Sequence, residues 1–358
     1  MDEGGAIYGE SEVIILKPMI PWEKTYFTEN SADFGGAIYA GASVSISDAN
    51  FEDNTAEEAG GAIFISTDSE EKSSISYSTF ESNYGGIGGG AIVGSSGKLV
   101  INNSEFINNT SLLFGGAVVH GGALEVNSST FTGNIASLAG TELREFRDEC
   151  AAQENQDSQF DQISCFFEVS GEFLSLGMGD GGYFPYIGMG GLPFRSGGGA
   201  IYVENPEYYS GDIVEISPSM MESDQDLNNE QSSATQVVAI HNSDFSQNSA
   251  QGDGGAIFFL GLLQILGSRF EENWALPAFI QVANDPDPVY ELIGSGGAVY
   301  GEKVEITAST FNANIASVDG GALYADESLE IFESLPQPEK TYSTEFENNF
   351  AFADIFSD

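Results

Sequence analysis

Asp224, Asp226 and Asn228 set three oxygen-bearing side chains at alternating positions, the spacing with which a loop wraps a calcium ion. Asn229 stands where an EF-hand loop needs glycine and Thr235 where it needs glutamate, so a looser oxygen site is expected rather than that motif. Asn284, Asp285 and Asp287 form a second weak calcium candidate; for both groups the alternative is a solvated acidic loop. Calcium is the one ion expected, and no cofactor is required. His120 and His241 are the only histidines, neither stands near a serine or cysteine in a nucleophile motif, and both are expected on the surface of the repeat. A lyase acting on acidic sugars needs a base and a cluster of cations over the sugar carboxylate, yet Arg144, Arg147, Arg195, Arg269 and the lysines are scattered. A glycoside hydrolase needs two carboxylates across a cleft, and with 55 acidic side chains the spacing singles out no pair. No catalytic residue is therefore nominated. Cys150 and Cys165 share one irregular segment, where a disulfide and two free thiols both fit; without a CxxC spacing, zinc and redox chemistry are excluded. Asn102, Asn108, Asn109 and Asn127 begin N-x-[ST] triplets, usable as glycan acceptors only in a secreted eukaryotic protein.

The composition bounds what can position these groups. A length of 358 residues would suit two or three ordinary domains, but repeat architectures run longer as one unit. Hydrophobic residues make up 41%, with 26 Phe and 14 Tyr, which is enough apolar surface for a long core and argues against global disorder. The net charge of -45 repels nucleic acid phosphates and anionic headgroups, so neither is an expected partner, and a saline or calcium-containing medium is. The apolar run from Ala256 to Leu266 is too short to span a bilayer and reads as buried strands. Met1–Tyr8 lacks the order of a signal peptide and begins inside a repeat, so the chain is expected to be a fragment of a longer one.

One frame recurs along the chain. It runs Val44-x-Ile46, Phe51, Asn54 and then Gly60-Gly61-Ala62-Ile63; it returns with Phe80 and Asn83, Phe106 and Asn109, Phe131 and Asn134. After an interruption it comes back with Phe245 and Asn248, Phe270 and Asn273, and Phe311 and Asn314, each set preceded by a serine. The period is about 24 to 29 residues, within the solenoid range. Short alternating apolar pairs rich in β-branched residues predict strands, and strands this short are stable only when equivalent ones stack about 4.8 Å apart. The expected fold is all-β, a right-handed parallel β-helix of about ten rungs and about 45 to 50 Å, forming a single domain over 1–358. The Phe row should stack in the interior, the Asn row should sit at a turn in left-handed geometry and bond to the next rung, and the Gly pairs should allow tight bends. Segments 141–197, 203–236 and 276–294 break the frame and must leave the coil as loops. In the first, Leu143, Phe146 and Cys150 fall on one face of a short helix that would pack against the rod.

GGA[ILV] recurring with FxxN closely resembles the repeats of the chlamydial polymorphic outer membrane protein family, over most of the chain outside the three insertions. The resemblance implies an autotransported surface adhesin with a β-helical passenger, here without the C-terminal barrel. The functional expectation is a non-catalytic, extracellular or cell-surface protein, outer membrane associated, that contacts a cell-surface protein or a polysaccharide through its loops. A carbohydrate-active β-helical enzyme, a polysaccharide lyase or glycoside hydrolase, is the alternative, and end-to-end self-association through exposed sheet edges is a further expected contact.

Overall fold

The computed structural model describes residues 3–18, 23–67, 71–137, 197–203, 237–281, 290–332 and 343–352. Every element among them is a strand, and apart from one hairpin all pairing is parallel. The expected parallel β-helix is the observed architecture, with the right-handed sense general for parallel crossovers. Among the described residues two of its sheets hold nine strands each, so nine rungs are stacked over about 40 Å at the sheet spacing.

Each rung visits three faces. On the broad face, two half-strands such as Ile38–Ala40 and Val44–Ser47 lie end to end, and in the last three rungs they merge into Ile257–Leu266, Val299–Thr307 and Leu323–Phe332. The chain then turns a corner into the phenylalanine face, for example Ala49–Glu52, and a second corner into the third face, for example Thr55–Ala59. The Gly pair returns it to the broad face. Its two members act differently. Gly60 has a φ of 69°, a left-handed conformation that costs other residues strain. A Cβ on Gly61 would come within 2.1 Å of the Gly90 carbonyl oxygen and 2.5 Å of that of Tyr84, because two faces meet there with no room for a side chain.

Strand alternation points Ile, Val and Leu inward from the broad face and one Phe inward from the phenylalanine face of every rung. Rings from Phe27 to Phe346 form one continuous stack with centroids 4.6 to 4.9 Å apart and planes within 10°. Two polar ladders run beside it. Asn54, Asn83, Asn109, Asn134, Asn248, Asn273 and Asn314 are buried, and each Nδ2 donates to the next Asn Oδ1 at 2.9 to 3.0 Å. Each Asn backbone N–H also donates to that same Oδ1, at 3.0 to 3.1 Å.

The left-handed residue is the one before each ladder Asn, as in Asp53, Ser82 and Ala313, not the Asn itself. The corner residue turns outward so that the amide can turn in. At the other corner Ser78, Ser104, Ser129, Ser243, Ser268 and Ser309 repeat the device: each Oγ accepts the N–H of the preceding rung's equivalent residue and donates to the carbonyl two residues upstream.

Neither ladder shifts across the insertions. The described residues of the coil run to Ser137, over Gly197–Val203 and again from Val237, and Asn134 bonds Asn248 and Ser129 bonds Ser243 as adjacent rungs do elsewhere. The segment 276–294 leaves the coil as an antiparallel hairpin, Ala278–Gln281 against Tyr290–Ile293. Buried Asp253 on the rung before holds its return, its Oδ1 accepting the N–H groups of Gly294 and Ser295 at 3.0 and 2.8 Å.

Candidate functional site

The outer side of the broad face carries a row formed by the last residue of each second half-strand: Ser47, Ser76, Asn102, Asn127 and His241 on consecutive rungs. The corner residue after each adds a parallel row, Asp48, Tyr77, Asn103, Ser128 and Asn242, all with φ between 47° and 55°. Strand period sets the first row outward, and the serine ladder fixes its backbone, since Ser78, Ser104, Ser129 and Ser243 donate to the carbonyls of Ser76, Asn102, Asn127 and His241 at 2.9 Å. The side chains are tied to one another as well. His241 Nδ1 lies 3.1 Å from Asn127 Oδ1, and Asn127 Nδ2 donates to Asn102 Oδ1 and to Glu125 Oε1, both at 3.0 Å. Because Asn127 Oδ1 can only accept, His241 carries its proton on Nδ1 when neutral and presents a lone pair at Nε2.

The strip is almost uncharged on a chain of 55 acidic side chains. Its single acid, Asp48, accepts from Ser47 Oγ at 2.7 Å and faces Lys17 at 3.5 Å. Beside it Lys98 pairs with Glu125 at 2.7 Å, and the hydrogen bond from that lysine, with the one from Asn127, holds the Glu125 carboxyl below the usual range. The second corner is built the same way and differs in chemistry: Glu29, Asp53 and Glu272 turn it, and Glu52, Glu81, Glu271 and Glu347 stand beside them.

Two aromatic rows on the outer broad face were not anticipated: Tyr8, Tyr39 and Phe64, and Tyr202, Phe258, Tyr300 and Tyr324. Their rings stack on each other 5.0 to 5.6 Å apart, so the inner rings are covered on both faces and the end rings Tyr8 and Tyr324 on one. Tyr77 has no ring partner among the described residues and is 57% exposed.

The expected site residues separate sharply. Asp224, Asp226, Asn228, Asn284, Asp285, Asp287, Cys150 and Cys165 all lie outside the described residues, as do Leu143, Phe146, Arg144, Arg147 and Arg195. Arg269 is exposed and paired with Glu271. His241 is on the surface as expected, but His120 is not: it is 2% exposed and points into the coil from the interior column of the broad face. Gly94 on the rung before makes the room, since a Cβ there would sit 2.5 Å from His120 Nδ1. That nitrogen lies 3.2 Å from the Gly94 carbonyl oxygen, while Nε2 is buried without a hydrogen-bond partner. Burial pulls the His120 pKa down to about 4, against the opposing pull of backbone groups of Gly97, Gly94 and Ala123. Of the N-x-[ST] asparagines, Asn109 is fully buried in the ladder, Asn108 turns the acidic corner, and Asn102 and Asn127 lie in the strip.

The family model for the Chlamydia polymorphic membrane protein (Chlamydia_PMP) repeat matches residues 24–41, 48–66, 242–259 and 308–326. The resemblance carried by GGA and FxxN is thus met on four separate stretches, and it is a repeat of outer-membrane, cell-surface proteins. The chain is also similar to a metabotropic glutamate receptor-like protein R from Dictyostelium discoideum, 35% identical over 102 residues, which is 28% of this chain and 6% of that protein. The chain therefore spans only a small part of that relative's length. No solved structure matches.

Proposed function

We propose, with the surface-protein repeat as premise, that this chain is a non-catalytic, adhesin-like binder: one β-helical domain that displays the segments 141–197, 203–236 and 276–294 to a cell-surface protein or a polysaccharide. The observation that carries this reading is the unbroken ladder register. Residues 114 positions apart meet as ordinary neighbours, so the coil acts as a frame indifferent to what is inserted between its rungs. Replacing 141–196 by a short Gly-Ser linker, which spares the coil residue Gly197, should abolish attachment to target cells and leave the melting temperature within a few degrees; undiminished attachment would sink the loop-display reading. Calcium belongs to the same proposal through Asp224, Asp226, Asn228, Asn284, Asp285 and Asp287. A melt raised by several degrees in millimolar calcium over chelator supports ion sites in the folded state, and an identical melt argues against them.

The enzyme alternative gains little from the strip. Glu125 has both carboxylate oxygens engaged, by Lys98 and Asn127, which suits an orienting group better than a proton donor. End-to-end association through exposed sheet edges is the other proposed contact. Light scattering that stays monomeric over a hundredfold concentration range would exclude it.

A further inference from the structure

We propose that the uncharged strip on rungs two to six binds a neutral, linear polysaccharide lying along the rod axis. This rests on the surface-binding reading and adds to it a site separate from the inserted segments, and a ligand class. Four observations converge.

The strip carries unspent hydrogen-bonding capacity in a fixed array. Asn102 uses its Oδ1 and His241 its Nδ1 within the network, which leaves the Asn102 amide protons and the His241 Nε2 lone pair for a ligand. Sugar hydroxyls, each donor and acceptor, complement such a row. The array is also rigid. Its backbone is pinned from below by the serine ladder, so binding does not have to order it.

Tyr77 is the third observation. It stands at a left-handed corner with φ 52°, where the neighbouring rungs use Asp, Asn or Ser and where a bulky side chain is strained. It is exposed and has no ring partner among the described residues, whereas every ring of the outer aromatic rows stacks on a neighbour. A ring with a free face beside amides and hydroxyls is the combination that holds a pyranose. The fourth is charge. Lys98 is matched by Glu125, and the chain's -45 repels polyanions beyond the strip, so the ligand is a neutral glycan rather than a uronate or sulfated one.

The test is retention of the whole chain on a panel of immobilised neutral polysaccharides, namely β-glucans, mannans and galactans, with alginate and a sulfated galactan as anionic comparators, followed by calorimetry on any that bind. At least one neutral polymer should bind, and Tyr77→Ala and Asn102→Ala should each weaken it roughly tenfold. Tyr26→Ala, at an equally solvent-facing tyrosine of the phenylalanine face, should leave it unchanged, and all three variants should keep the parent melt. Failure of every neutral polymer, retention of the anionic ones alone, or binding indifferent to Tyr77→Ala and Asn102→Ala each overturns the proposal. The linker replacement of 141–196 separates the two readings: it should leave glycan retention intact even where it abolishes cell attachment.

Discussion

Replacing Asn109 by alanine tests whether the asparagine ladder holds the coil together. Asn109 Nδ2 donates to the Phe80 carbonyl at 2.9 Å and to Asn134 Oδ1 at 3.0 Å, while its Oδ1 accepts the Asn83 N–H at 3.0 Å and Asn83 Nδ2 at 2.9 Å. Truncation leaves Asn134 Oδ1 bonded to the Asn109 N–H and Asn83 Nδ2 bonded to the Phe51 carbonyl, so neither is orphaned. The Asn83 N–H loses its partner in a site that water does not reach, while the Phe80 carbonyl loses one bond and keeps its ladder partner on the Ile107 strand. At about 1 to 3 kcal/mol for the stranded N–H and about 1 for the carbonyl's lost bond, the loss is about 2 to 4 kcal/mol. Asn349 at the end of the ladder donates to the Phe311 carbonyl and accepts from Asn314 but is only half-buried, so water can replace what its truncation removes. Equilibrium urea unfolding, read together with amide exchange on rungs three to five, should show Asn109→Ala costing several times as much as Asn349→Ala. A loss below about 1 kcal/mol at Asn109, or equal losses at the two sites, would refute the accounting.

Three further outcomes follow from the same geometry. His120 titrates near 4 in the folded chain, below its ordinary 6.5, so the unfolded chain binds the extra proton: this contribution is intact above about pH 6.5 and lost as pH falls towards 4, by roughly 3 kcal/mol. His120→Gln should shrink the difference between urea midpoints at pH 7 and pH 4.5. Gly94→Ala should destabilise the parent and do so much less in a His120→Ala background, with a coupling of about 1 to 2 kcal/mol in a double-mutant cycle. Gly61→Ala, forced against two carbonyl oxygens, should cost about 3 kcal/mol or more by thermal melt, whereas Gly97→Ala, strained in φ alone, should cost about 1.

The coil was legible because every rung repeats one solution. An inward Phe, an inward Val-x-Ile pair and a Gly pair leave the same mark each time, and the parallel register then follows. Finer placement was harder for identifiable reasons. The left-handed position fell one residue before Asn54 and its equivalents because corner residues face water and accept Asp, Ser, Gly, Gln or Ala, so they leave no pattern. Ser104 and Ser129 recur in the frame, but nothing in the sequence marks their hydroxyls as bridges between rungs. The burial of His120 depends on a missing side chain 26 residues earlier. The polar strip is assembled from residue pairs 25 or more positions apart in sequence, and it becomes visible only once the rungs are stacked.

The continuity of the ladders across 114 residues has a kinetic side. An ordinary rung is added by closing about 25 residues, whereas joining Ser129 to Ser243 closes a loop several times longer, at an extra entropic cost of about 1.3 kcal/mol. The island Gly197–Val203 lies between, with three residues of strand whose two edges are both covered only when Val118–His120 and Ile257–Phe259 are in place. The rod should therefore grow as two separate spools, residues up to 137 and residues from 237, whose docking is the late and slow event of folding.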